Sequence, residues 1–137
     1  MRNIEKKIEL EIDGEKKTFR LRKPDAFTGV EILRLLVRLQ DQSPDRKVSV
    51  LDLIMSLSPA EMREVMKSCL NYVDVMLPAG PNPVMTGDGW TWEDLQYNSD
   101  ACMNLVLEEV TWALAGFFAA GGLKQEPASA NSSQPNA

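Results

Sequence analysis

The sequence predicts an α+β fold, mostly α, with an N-terminal β-hairpin followed by a small bundle of four to five helices. Three observations carry this. Apolar and charged residues alternate on both sides of an Asp-Gly pair near the N-terminus. From residue 28 onward the apolar spacing changes to three and four residues. Ser58-Pro59-Ala60-Glu61 then marks a helix start.

The 137 residues fit one domain, drawn at 1–123, with 124–137 as a polar tail. The apolar fraction of 44% is ordinary for a domain of this size with its own core. The formal net charge is −5, from 20 acidic and 15 basic residues. That balance argues against nucleic acid and an anionic membrane as partners, since both demand a basic patch.

In the hairpin, Ile8, Leu10 and Ile12 alternate with Lys7, Glu9 and Glu11. Phe19 and Leu21 alternate with Thr18, Arg20 and Arg22. With 13–16 as the connection, Ile12 faces Lys17, Leu10 faces Phe19, Ile8 faces Leu21 and Glu9 faces Arg20. One face is then apolar. A two-stranded hairpin is marginal alone, so helices, another strand or another subunit must cover that face. Lys16, Lys17, Arg20, Arg22 and Lys23 make this region basic. Protection of an edge strand accounts for them better than an acidic partner does.

The first helix is expected from Thr28, with Glu31 at capping-box spacing and Phe27 and Ile32 at staple spacing, to about Gln40. Its apolar arc is wide, which implies contacts on more than one side. Residues 41–47 read as a loop. A short helix follows over 49–57, opened by Ser49 and Asp52. The Ser58-capped helix is expected to run to about Met76, with Met62, Val65, Met66, Cys69, Leu70, Val73 and Met76 on one face.

Residues 78–89 read as a Pro/Gly-rich loop, with Thr86-Gly87-Asp88-Gly89 as a turn. A loop of that length is often functional or mobile. Thr91 is expected to cap a short helix through Leu95. Asn98 opens a last, strongly apolar helix to about Ala120, stopped by Gly121-Gly122. That helix reads as the centre of the core. The polar tail cannot bury enough apolar area to order itself.

Catalytic and metal chemistry finds few carriers. The chain has no histidine, which removes Ser-His-Asp and Cys-His sites and the commonest metal ligand. Cys69 and Cys102 lack metal or redox spacing and read as buried thiols. Glu108 and Glu109 are adjacent and do not face one site on a helix. No cofactor is expected, and the chain reads as a non-enzyme. No signal peptide or membrane span is expected either. The candidate protein-binding residues are Met62, Met66, Met76, Met85, Trp90 and Trp92. Methionine is adaptable and over-used on promiscuous binding surfaces, and aromatic side chains near a loop often mark recognition.

The order of features resembles one family. A charged hairpin over 8–22 leads through Lys23-Pro24-Asp25-Ala26-Phe27 into a Leu-rich helix. A Ser-Pro-Ala-Glu helix, a Pro-rich loop, an apolar helix and a polar tail follow. Over roughly residues 4–122 this resembles the tail assembly chaperones of long-tailed (siphovirus-type) bacteriophages. The resemblance implies a protein of the host cytoplasm that is absent from the finished virion. It would coat the long helical tape-measure protein, keep it soluble, recruit tail-tube protein and self-associate. Many such proteins also have a longer, frameshifted form, of which this chain would be the shorter partner. The family supplies no catalytic or ligand residues to carry over. The alternative reading is a structural head–tail connector or tail-completion protein.

Overall fold

The Asp13-Gly14 pair turns the chain in two residues. Both adopt left-handed backbone, with φ of 52° and 85°. An Asp-Gly pair tolerates this, and the resulting tight turn suits strand twist. Strands β1 (Glu5–Ile12) and β2 (Glu15–Arg22) therefore pair with Ile12 opposite Glu15, Leu10 opposite Lys17 and Ile8 opposite Phe19. The expected four-residue connection is wrong by two positions in register. A slip of two keeps every side chain on its expected face, so the apolar face survives.

The structure, a computed structural model, describes residues 4–41 and 49–115. After β2 come α1 (Ala26–Asp41), α2 (Val50–Met55), α3 (Pro59–Leu70), β3 (Val73–Leu77) and β4 (Gly80–Pro83). Next are β5 (Met85–Thr86), β6 (Gly89–Trp90), α4 (Glu93–Gln96) and α5 (Ser99–Ala113). Four strands form one antiparallel sheet in the order β1-β2-β3-β4, and β5 and β6 form a separate hairpin. Of the described residues 51% are helical and 28% are in strands. The expected hairpin-plus-bundle is thus corrected: the hairpin is only half of a four-stranded sheet.

The correction turns on residues 71–83. The helix predicted to reach Met76 ends at Leu70, where the Asn71 side chain donates to the Lys67 carbonyl at 2.7 Å. Val73 and Val75 are both wholly buried. Two positions apart, they would lie on opposite sides of a helix, but on a strand they share a face. Fully burying each contributes about 1.5 kcal/mol or more, which outweighs any helical preference of β-branched residues. β3 pairs with β2, and Pro78-Ala79 returns the chain into β4. The predicted loop over 78–89 is in fact two consecutive hairpins.

Helix α1 also starts earlier than expected. Its first turn is capped by Asp25, whose carboxylate accepts from the Thr28 N–H at 2.9 Å, and Phe27 is exposed in place of stapling. That bond holds the Asp25 carboxyl below its ordinary range. The boxes at Ser49/Asp52 and Ser58/Glu61 form as the spacing predicts. Glu61 also accepts two bonds from Arg38 at 2.9 and 3.0 Å, which ties α1 to the start of α3. Helix α4 is preceded by Trp92, which makes no side-chain cap. Thr91, expected to cap it, instead donates its hydroxyl to the Pro83 carbonyl.

The core lies between the apolar sheet face and the helices. Phe19, Leu21, Val73 and Val75 meet Leu36, Ile54, Leu70, Leu105 and Val106. Lys6 reaches Glu108 of α5 at 3.5 Å, and Lys23 lies over the Trp112 ring. Asp74, on the opposite sheet face, is buried beneath two arginines. Arg20 donates to it at 2.7 and 2.9 Å, and Arg22 at 3.0 and 3.2 Å. The basic residues of β2 are therefore not edge protection: β2 is an inner strand, and its arginines neutralise an acid on β3.

The last helix, expected to reach about Ala120, ends at Ala113 with Leu114 as its C-cap. Its expected Gly-Gly stop, the polar tail and nearly all of the 41–47 loop lie outside the described residues. No helix among the described residues is long and apolar enough to cross a membrane.

Candidate functional site: a methionine-lined groove

Helix α3 presents Met62 and Met66 on one stripe because they stand one turn apart. Across from them, α5 presents Cys102 and Met103, and Met55 projects from the end of α2. The β5–β6 hairpin closes one side with Met85 and Trp90, which are cross-strand partners. Together these form an open groove of about 920 Å³, floored by Leu57 and Leu70. Five of the chain's seven methionines line it.

The hairpin is held in place by polar bonds, not by its own two short strands. Gly87, at φ 61°, makes the tight turn that its lack of a side chain permits. Its N–H donates to Asn71 Oδ1 at 2.7 Å, and Asn71 Nδ2 donates back to its carbonyl at 3.0 Å. Lys67 adds an ion pair to Asp88 at 3.0 Å. Both anchors sit at the end of α3, so the hairpin is tied to the helix that carries the Met62–Met66 stripe.

Four of the six sequence candidates converge here: Met62, Met66, Met85 and Trp90. Two do not. Met76 lies on β3, opposite Pro81, because the helix that would have carried it into line stops early. Trp92 packs edge-to-face on Phe19 with ring centroids 5.8 Å apart, which makes it part of the core. Met55 and Met103 belong to the groove and were missed. No spacing within one element links them to Met62 or Met66; only the packing of α2 and α5 against α3 does.

The groove rim carries charge. Lys67 is paired with Asp88, but Arg63 is exposed and makes no ion pair among the described residues. The remaining rim groups are neutral and polar, Gln96 and Ser99. The site can take up apolar side chains of varied shape and hold one acidic group at its border. Cys102 donates to the Leu95 carbonyl at 3.3 Å, and burial pushes its thiol up to about 11, far from a reactive thiolate. No three His, Cys, Asp or Glu groups among the described residues could hold a metal ion.

One titratable group is buried outside the groove. Both carboxyl oxygens of Glu109 on α5 lack a hydrogen-bond partner among the described residues. Burial pushes this carboxyl up from 4.5 to about 8, with the Arg22 charge acting in the opposite sense. Glu109 in turn adds to the burial that pushes the Cys69 thiol upward. Both cysteines are buried free thiols.

Compared with known protein families, curated proteins and solved structures, the chain matches none.

Proposed function

We propose that the chain is a helix-binding assembly chaperone, acting on an amphipathic helical segment of a partner protein that it seats in the methionine groove. The observation that carries this is the convergence of Met55, Met62, Met66 and Met103 with Trp90 around one open groove, with Met85 buried in its wall. Flexible thioethers repack around different apolar side chains, which suits a surface that must take many turns of a long helix. Arg63, exposed and without an ion pair among the described residues, favours a partner helix with an acidic residue flanking its apolar stripe. Exposed apolar side chains elsewhere, Phe27 and Val30 on α1, fit a protein that works in complexes.

The resemblance to tail assembly chaperones names the partners in this reading. The helical client is the tape-measure protein, and the tail-tube protein is recruited to the complex. The chain would act in the host cytoplasm, self-associate and leave before the virion is complete. A head–tail connector or tail-completion protein is the alternative, since such a protein also works through protein contacts.

Co-expression with the tape-measure protein tests this. The wild-type chain is expected to keep that protein in the soluble fraction, and Met62→Glu/Met66→Glu is expected to lose this effect while remaining folded. Mass spectrometry of purified particles should find no copy of the chain. Stoichiometric copies in finished particles would overturn the chaperone reading in favour of the structural one.

A further inference from the structure

The two edges of the main sheet are built differently. Both its hairpins close on two-residue turns, which makes the flanking residue pair hydrogen-bonded and every second pair after it. The same parity follows from the Lys23 N–H bonding the Ile4 carbonyl at 3.0 Å and the Val84 N–H bonding the Val73 carbonyl at 3.1 Å. On β4, the residues whose backbone faces away from the sheet are therefore Pro81 and Pro83. Neither has an N–H to offer, so that edge cannot extend. On β1 the outward residues are Glu5, Lys7, Glu9 and Glu11. All four keep their N–H and carbonyl groups, and no described element pairs with them. The strand runs eight residues with no proline and no left-handed residue. Ile8 and Leu10 are only half buried on its apolar side.

We infer that β1 is a self-association edge, on which a second copy of this chain adds its own β1 antiparallel, joining two sheets into one. The charge order says why the occupant is a second copy. A two-fold axis through Ile8 places Lys7 of each copy directly opposite Glu9 of the other, giving two ion pairs on the polar face. The same axis sets the two Ile8 side chains against each other in the close, non-hydrogen-bonded position on the apolar face. Glu5 then faces Glu11 at each end, where Arg20, 3.7 Å from Glu5, offsets the repulsion. This surface is separate from the methionine groove, so it stands or falls independently of the proposed client.

Sedimentation equilibrium on the full chain, with hydrogen exchange, tests the inference. The wild type is expected to dimerise. Lys7→Glu puts like charges opposite one another twice and should raise the dimer dissociation constant about tenfold. The swap Lys7→Glu/Glu9→Lys restores both pairs and should restore the wild-type constant. The amides of Lys7 and Glu9 should gain protection as concentration rises, while those of Ile8 and Leu10, already bonded to β2, should not change. A monomer at every concentration overturns the inference. So does a dimer whose constant ignores both variants and whose Lys7 and Glu9 amides stay unprotected.

Discussion

Asn71 grips the Gly87 peptide from both sides, accepting from its N–H at 2.7 Å and donating to its carbonyl at 3.0 Å. This one carboxamide joins the end of α3 to the hairpin that carries Met85 and Trp90. The shape of the groove therefore depends on a residue that does not line it.

Asn71→Ala should loosen the hairpin without unfolding the domain. The loss should be about 1–2 kcal/mol, since two hydrogen bonds to the turn and one to the end of α3 disappear. Trp90 fluorescence should shift to longer wavelength as its ring gains water, and helix-peptide binding should weaken. Circular dichroism in the far ultraviolet should stay close to wild type.

Asp74→Ala should be the more damaging change. It leaves Arg20 and Arg22 facing a buried site with no anion between them. Breaking a buried ion pair from one side costs about 3–5 kcal/mol, and these side chains are only partly exposed. Urea denaturation followed by circular dichroism measures this. A midpoint equal to wild type would show that the three-residue cluster contributes nothing.

Stability should pass through a maximum in mildly acidic solution. Asp25 and Glu61 have carboxyls held below their ordinary 3.8 and 4.5, by bonds from Thr28 and chiefly from Arg38 respectively. Their contribution is present above those values and lost as pH falls below them. Glu109 has the opposite sign. Raised from 4.5 to about 8, its carboxyl stays protonated in the fold while the unfolded chain ionises. The advantage of the neutral group is complete below pH 4.5 and is lost as pH rises toward 8, at up to about 1.4 kcal/mol per pH unit. Glu109→Gln should flatten that alkaline limb and raise stability at pH 7 relative to wild type. Thermal melts from pH 4 to 9 on both proteins check it.

Mild peroxide treatment should weaken partner binding. Sulfoxide formation turns a flexible apolar side chain into a polar one, and Met55, the most exposed of the five, should react first. Full oxidation of the groove should raise the dissociation constant for a helical peptide about tenfold. Replacing Met62 and Met66 with leucine should confer resistance to this loss.

What the sequence made legible was local. The Ser49/Asp52 and Ser58/Glu61 boxes could be read because a cap and its partner lie three residues apart. The Asp-Gly turn could be located, but the register needed the backbone angles of Asp13 as well as of Gly14. Residues 73–76 fit a helix face and a strand equally well. The deciding partner was Arg20, more than fifty positions upstream, which offers Asp74 a counter-charge and β3 an open edge. The groove was half visible: Met62 and Met66 share a helix, but Met55, Met85 and Met103 reach them only through tertiary packing. Met76 was misassigned with the end of its helix, and Trp92 was drawn inward by Phe19.

Apolar helices of a partner are proposed to seat in the methionine groove. Methyl NMR on protein labelled at the methionine methyl carbons, titrated with an amphipathic helical peptide bearing a flanking glutamate, tests this seating most directly. Saturable shifts are expected at Met55, Met62, Met66, Met85 and Met103, with Met76 on the far sheet face unchanged. No shift at any groove methionine, or a response centred on Met76, would contradict it.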